Sequence, residues 1–184
     1  MSKNLFIIGK MIIKTIGHGT KTIEEFVGEL KAAGVDFLFD VRSVPRSRHN
    51  PQFNKENLKA ALEKESLCYR HLAEAGGFRH PRKDSLNWGW ENESFRGFAD
   101  YMATEKFSGA LNQIVETARN KNVALMCAET LPWRCHRFLI ADALVLQGIE
   151  VVHLFPKGKE KKHERTPWSK LYNGMLIYPR QEKN

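Results

Sequence analysis

The sequence has no apolar run of membrane-spanning length, and its N-terminus lacks the long apolar stretch and small-residue cleavage site of a secretory signal. We therefore expect no membrane association and a cytoplasmic location. Cysteine is scarce, since only Cys68, Cys127 and Cys135 occur among 184 residues. An odd number of cysteines in a reducing compartment argues against a disulfide framework and leaves metal-binding, catalytic and inert thiol roles open.

Acidic residues are outnumbered by basic ones, 21 against 29, which gives a formal net charge of +8. This excess favours encounter with a polyanion or with a small ligand that carries phosphate or carboxylate. The basic residues are concentrated in segments 42–59, 79–83 and 157–170. The predicted partner is an anionic small molecule or a nucleic acid, although many basic proteins bind neither. The sequence predicts no oligomeric state.

Strand-like and helix-like patterns alternate along the chain, whose length suits one well-packed domain. Strands are predicted at residues 12–16, 37–39, 67–71, 123–126 and 151–154. Helices are predicted at residues 22–33, from about 54, and at 93–103, 108–119 and 135–147. This alternation is typical of a single α/β domain with a mainly parallel sheet flanked by helices.

The domain is predicted to span residues 11–156, preceded by an N-terminal extension, 1–10, and followed by a basic C-terminal segment, 157–184. Whether that basic segment folds onto the domain is left open. Residues 72–90 are rich in Gly, Pro, Arg and Trp and show neither a helical nor a strand-like hydrophobic period. A loop this long inside a compact domain is usually functional or disordered.

Reactive residues follow the predicted strands. His18 comes after the first strand, Asp40 and Arg42 after the second, and Cys127 and Glu129 after the fourth, while His153 lies in the fifth. Ligands of open α/β sheets bind beyond the carboxyl ends of the strands. We therefore expect these side chains to share a site.

The stretch MCAETLPWRCHR, residues 126–137, is the densest group of such residues. A helix that begins near Cys135 would offer free N–H groups to an anion, and Arg42, Arg134 and Arg137 would add donors. A thiol beside them would have a lowered pKa. We predict catalytic roles for Cys127, Glu129, His18, Asp40 and His136, with Arg42, Cys135 and Arg137 binding the substrate.

Two other functions remain open at this point. Cysteines and histidines could bind a metal, but C-x-x-C and H-E-x-x-H motifs are absent, so spacing assigns no metal ligand and no cofactor. The Arg and Lys segments, with Trp88, Trp90 and Trp168, could instead form a non-catalytic nucleic-acid-binding module.

Two resemblances follow from these motifs. The pair Cys127 and Arg134, with the DVR of residues 40–42, resembles the anion loop of rhodanese-like sulfurtransferases and cysteine phosphatases, although six residues separate Cys127 from Arg134. This resemblance implies that the topology is either Rossmann-like or distantly rhodanese-like. It also implies that the chemistry uses a cysteine thiol.

The motifs TIGHGT, FDVRSVPRSRHNPQFN, YRHLAEAGGFR, ALMCAE and CHR occur in this order between residues 15 and 137. Together they resemble the DUF488 family of bacterial and archaeal proteins. The resemblance implies an α/β fold and a shared site, with no established reaction. It adds Ser47 and Arg79 to the substrate-binding candidates. The combined hypothesis is an enzyme acting on a phosphorylated or other anionic substrate, with a nucleotide or nucleic acid included.

Overall fold

The computed structural model describes residues 11–181, so the predicted N-terminal extension, 1–10, lies outside the described residues. The described residues form eight β-strands: β1 (Ile12–Gly17), β2 (Phe37–Asp40), β3 (Cys68–His71), β4 (Val123–Cys127), β5 (Glu150–Phe155), β6 (Lys159–Lys162), β7 (Lys170–Tyr172) and β8 (Met175–Ile177). They also form five α-helices: α1 (Ile23–Ala32), α2 (Lys55–Lys64), α3 (Glu93–Tyr101), α4 (Glu105–Ala118) and α5 (Arg137–Leu146).

Six strands form one sheet in the order β3-β2-β4-β1-β5-β6. The first five are parallel, and β6 runs antiparallel to β5 at the edge. The predicted single α/β domain with a mainly parallel sheet flanked by helices is therefore confirmed, and its description as Rossmann-like agrees with this sheet. β7 and β8 form a separate antiparallel hairpin.

Alternation along β4 divides the core between the two faces of the sheet. Ala124 and Met126 pack with residues of α1 and α2, whereas Leu125 and Cys127 pack with residues of α3, α4 and α5. Successive side chains of a strand point to opposite faces. Because all five residues of β4 are buried, the strand is apolar throughout, as central parallel strands usually are. Cys127 therefore faces α5.

Local hydrogen bonds explain where the helices begin. Thr22 and Glu25 form the expected capping box on α1. α4 begins three residues earlier than predicted, because the Thr104 hydroxyl caps the Phe107 N–H. α5 begins two residues later than predicted, since Cys135 has an extended backbone. Within residues 11–181, no helix is both long enough and apolar enough to cross the bilayer.

The C-terminal segment packs on the domain over residues 159–178, which answers the question that the sequence left open. β6 extends the sheet, and the Tyr178 side chain is completely buried. The Tyr178 carbonyl accepts from Gly89 N at 2.8 Å, and its N–H donates to Asn87 Oδ1 at 2.8 Å. These bonds attach the long loop before α3 to the end of the chain.

Candidate functional site

The ends of β1, β2 and β4 are held together beyond the last strand residues. His18 N donates to the Cys127 carbonyl at 3.0 Å, and Val41 N donates to the Met126 carbonyl at 2.9 Å. The residues that follow these strands therefore start from one edge of the sheet. A cavity of about 510 Å³ lies at this edge.

The cavity wall combines thiols, imidazoles and arginines with a few apolar side chains. Its lining includes three arginines (Arg42, Arg46 and Arg134), two histidines (His18 and His136), two cysteines (Cys127 and Cys135), one carboxylate (Glu129), and the polar residues Ser43, Ser47, Asn50 and Ser94. Val44, Phe78 and Phe95 supply apolar contacts. Ionisable groups of both signs therefore meet in one concave space.

Cys127, Cys135 and His136 form what we call the thiol cluster. The Nδ1 atom of His136 lies 3.9 Å from Cys127 Sγ and 3.6 Å from Cys135 Sγ. The Nε2 atom of the same ring lies 2.8 Å from the Val41 carbonyl oxygen. Because a carbonyl oxygen only accepts, Nε2 carries a proton, and Nδ1 faces the two sulfur atoms.

The two thiols of this cluster differ in acidity. A hydrogen bond from Cys135 lowers the pKa of Cys127 well below its ordinary value, and the charges of His136 and Arg137 act in the same direction. Burial raises the pKa of Cys135 well above its ordinary value. Cys127 is thus the sulfur that carries negative charge more readily.

Arg137 positions this cluster from behind. Its guanidinium donates to the Ile16 carbonyl at 2.6 Å and to the Thr130 carbonyl at 2.8 Å, and the residue is 1% exposed. These bonds join the end of β1 to the loop between β4 and α5. A Cβ on Gly17 would lie 2.0 Å from the Glu129 carbonyl, so this approach requires glycine.

A second set of charged residues surrounds His18. Arg42 makes two side-chain bonds to the Asp40 carboxylate, at 2.8 and 2.6 Å, and also donates to the Phe53 carbonyl at 2.8 Å. Tyr69 donates its hydroxyl to Asp40 at 2.8 Å. Burial and the neighbouring Asp40 raise the pKa of Tyr69. Asp40 is therefore saturated with hydrogen bonds and holds Arg42 in place.

His18 stacks on Phe53, with ring centroids 4.2 Å apart. Its Nδ1 donates to the Gly19 carbonyl at 2.9 Å, which leaves Nε2 to accept from Arg42 Nη1 at 3.4 Å. Burial lowers the pKa of His18, and Arg42 acts in the same direction. The ring is therefore neutral at physiological pH, with both nitrogens paired.

The structure places seven of the ten predicted site residues along the cavity: Cys127, Glu129, His18, His136, Arg42, Cys135 and Ser47. Asp40 and Arg137 lie behind this wall, where each orients other groups. Arg79 lies over the Tyr101 ring, 4.0 Å from its centroid, and is not among the lining residues.

Sequence reasoning missed several lining residues. Phe78 and Phe95 looked like ordinary loop and helix residues, and Arg46 appeared only as one of several charges in its segment. The glycine pair before Phe78 was a usable signal. A Cβ on Gly77 would lie 2.4 Å from His136 Nδ1, so this loop can lie against the imidazole only without a side chain there.

His153 does not join the cavity. It belongs to what we call the aspartate cluster: Asp142, His153, His163 and Tyr178. His153 Nε2 lies 2.9 Å from His163 Nδ1, and His163 Nε2 lies 2.8 Å from Asp142 Oδ1. Thr15 lies 2.7 Å from the remaining nitrogen of His153. Every ring nitrogen of these two histidines therefore has a partner.

The fold and the cavity define an α/β protein with a site lined by cysteine, histidine and arginine at the carboxyl edge of its sheet. The chain belongs to the family described as Domain of unknown function DUF488, whose family model matches residues 22–144. The family resemblance of the sequence motifs is thereby confirmed. No curated protein and no solved structure matches the chain.

Proposed function

We propose that the protein is an enzyme acting on a phosphorylated or other anionic substrate, such as a nucleotide, that binds in the cavity at the carboxyl edge of the sheet. The observation that carries this proposal is the meeting of three arginines with two thiols, a carboxylate and two imidazoles around one cavity. A volume of about 510 Å³ lies within the usual range of small-molecule sites.

The charge of the lining supports an anionic ligand. Arg42 is neutralised by Asp40, but the guanidinium groups of Arg46 and Arg134 form neither an ion pair nor a hydrogen bond within residues 11–181. Both are exposed at the cavity. Arginine guanidinium groups match the geometry of phosphate and carboxylate oxygens. We assign substrate binding to Arg46 and Arg134, with Arg42 as part of the supporting wall.

The reactive groups lie deeper than these arginines. Cys127 and Cys135 are buried, whereas Arg46, Arg134 and the carboxylate-bearing Glu129 are exposed. A substrate whose anionic group is bound by the arginines would therefore extend towards the thiol cluster. We assign the chemistry to Cys127, Glu129 and His136, with His18 and Ser47 as further contacts.

The alternative of a non-catalytic nucleic-acid-binding module has weaker support. Trp90 packs against Trp168 and Tyr178, with ring centroids 5.7 and 5.5 Å away. Trp88 lies against the Arg96 guanidinium, 4.3 Å from its ring centroid. Trp90 and Trp168 are therefore engaged with each other within the protein, whereas Trp88 is 46% exposed and contacts Arg96.

The test is binding of small anions by calorimetry in low salt, with inorganic phosphate, nucleoside monophosphates and sugar phosphates as probes. At least one phosphorylated probe should bind, and Arg46→Ala and Arg134→Ala should each weaken it by about tenfold, the effect of losing one charge-assisted bond. Arg48→Ala is the matched control, since Arg48 is exposed in the same loop but does not line the cavity.

Binding that is equally weakened by Arg48→Ala, or no binding of any probe by the wild-type protein, would contradict the proposal. Once a ligand turns over, Glu129→Gln should abolish turnover while the melting temperature stays within a few degrees. Normal turnover by Glu129→Gln would remove Glu129 from the chemistry.

A further inference from the structure

The thiol cluster brings together three atoms that are good metal ligands. Cys127 Sγ, Cys135 Sγ and His136 Nδ1 all lie within 4.8 Å of one another. Thiolate sulfur and imidazole nitrogen are the ligands that structural and catalytic zinc sites prefer. The three residues come from the end of β4 and from the turn that leads into α5, so the fold fixes them on two adjoining elements.

Hydrogen bonding alone gives a poor account of this arrangement. When the His136 ring is neutral, its Nδ1 is the single acceptor that it offers to two neighbouring thiols. The two S–N distances, 3.9 and 3.6 Å, are also long. A pair of thiols beside one acceptor is therefore under-used as a hydrogen-bond network.

Tetrahedral metal coordination accounts for the same distances. Zn–S bonds of about 2.3 Å and Zn–N bonds of about 2.0–2.1 Å place sulfur and nitrogen ligands about 3.6 Å apart. The observed separations of 3.6 and 3.9 Å therefore differ from this value by a few tenths of an ångström or less. The two sulfur-to-nitrogen distances therefore match a tetrahedral site, and the two sulfur atoms lie within 4.8 Å of each other.

The outer contact of His136 is the one that a metal-ligating histidine uses. Its Nε2 donates to the Val41 carbonyl at 2.8 Å, which fixes both the tautomer and the direction of Nδ1. Ligating histidines commonly donate their second nitrogen to a carbonyl or a carboxylate.

We propose that Cys127, Cys135 and His136 bind one zinc ion, or another thiophilic divalent cation, through two sulfur atoms and Nδ1. Binding releases the two thiol protons to solvent, and the fourth coordination position opens into the cavity that all three residues line. Three protein ligands with one open position are the arrangement of catalytic zinc sites.

The role of this ion rests on the proposed function. A divalent cation held by these residues would supply Lewis-acid chemistry to the cavity, whose lining also includes Glu129 outside the ligand group. The class of reaction that such an ion would support is hydrolysis of the bound anion, in which water adds to the phosphoryl or acyl centre and the displaced alcohol or phosphate leaves to solvent. Cys127 acts here as a ligand and not as the attacking group.

The experiment is an anaerobic titration of the reduced, chelator-treated full chain with Co²⁺, followed by absorption. One equivalent should produce the intense thiolate-to-cobalt charge-transfer band and the visible bands of tetrahedral Co²⁺, and Zn²⁺ should bleach both. Because the titration uses the wild-type protein, it does not depend on the folding of a variant. Zn²⁺ should also raise the melting temperature, since it binds the folded state.

Variants then assign the ligands. Cys127→Ser, Cys135→Ser and His136→Ala should each remove the charge-transfer band or weaken Zn²⁺ binding by more than about a hundredfold, the upper limit for loss of an outer hydrogen bond. Cys68→Ser, which changes an exposed thiol, is the matched control and should leave both unchanged. Circular dichroism of each variant checks the fold.

Absence of stoichiometric Co²⁺ and Zn²⁺ binding to the wild-type protein would overturn the metal site, as would a cobalt spectrum that survives in Cys127→Ser and Cys135→Ser. No substrate is needed for this titration. Anion binding by the metal-free protein, measured as described for Arg46 and Arg134, can succeed where the titration fails. The two proposals can therefore fail separately.

Discussion

The thiol cluster and the aspartate cluster are both largely buried groups of ionisable side chains beside α5, since His136 directly precedes this helix and Asp142 lies in it. Their difference lies in how completely their polar atoms are paired. Asp142 accepts four hydrogen bonds, from His163, from the Thr166 amide, from the Thr166 hydroxyl and from Tyr178, at 2.7–2.8 Å. In the thiol cluster the sulfur contacts to His136 are 3.6–3.9 Å long, and the cluster borders a cavity.

Under our proposal, this difference distinguishes a structural network, the aspartate cluster, from a functional site, the thiol cluster. The aspartate cluster joins α5, β5 and the C-terminal segment, and its residues are almost completely inaccessible to solvent. A fully satisfied buried network stabilises one arrangement of the fold. In the thiol cluster, the two sulfur atoms and the His136 Nδ1 atom face one another beside the cavity. Burial of a histidine or an acidic residue is therefore a weaker indicator of function than ionisable groups that lack a full set of hydrogen-bond partners.

The largest predicted effect comes from breaking the saturated cluster. Asp142→Ala leaves His163, Thr166 and Tyr178 without their acceptor in the interior. We expect it to lower the free energy of unfolding by about 3–5 kcal/mol, because several buried donors lose their partners at once. Chemical denaturation followed by circular dichroism measures this change.

The matched change in the other cluster is Cys135→Ala. It removes one buried sulfur atom, its hydrogen bond to Cys127 and a long contact to His136. In metal-free protein we expect a loss of no more than about 1 kcal/mol, comparable to removing a single buried methyl group. A loss as large as that of Asp142→Ala would show that the two clusters stabilise the fold equally and would refute the distinction.

An intermediate effect is expected from acid. Burial, together with the charges of His163, Arg137 and Lys161, lowers the pKa of His153 to about 3 from an ordinary value of 6.5. As the pH falls, His153 therefore takes up a proton in the unfolded chain before it does so in the folded protein. Stability is complete above pH 6.5 and decreases below it, by about 2 kcal/mol between pH 6.5 and 5 from this residue alone.

Denaturation curves measured across this pH range test the prediction. His153→Asn should flatten the pH dependence, whereas His49→Asn, a change at an exposed histidine, should not. Equal slopes for wild-type protein and His153→Asn would assign the acid sensitivity to other groups. Comparing slopes within each variant removes the separate effect of the substitution on overall stability.

The sequence predicted the mainly parallel sheet well, because the sheet depends on local patterns. The apolar run of β4 and the capping box of α1 specify their elements within a few residues, and reactive residues after parallel strands must meet at one edge. The two clusters could not be told apart from the sequence. His153 and Cys127 both lie in or at the end of a strand, and their different surroundings depend on loops and on the C-terminal segment.

Contacts between residues far apart in the chain explain the rest. Gly77 and Phe78 reach the cavity because the loop before α3 is attached to Tyr178, about 100 residues away along the chain. Arg79, next to Phe78, lies instead over the Tyr101 ring. Known metal-binding motifs could not identify Cys127, Cys135 and His136 as ligands, since the turn between β4 and α5 is what brings these residues together.

The most direct measurement is site-resolved alkylation of the three cysteines in the folded protein, read by mass spectrometry with and without Zn²⁺. We predict that chelator-treated protein is labelled at Cys127, that Zn²⁺ protects Cys127 and Cys135, and that exposed Cys68 reacts equally in both states. If Cys127 and Cys135 remain unlabelled until the protein unfolds, whether or not Zn²⁺ is present, the thiol cluster is as closed as the aspartate cluster and the account of the site is wrong.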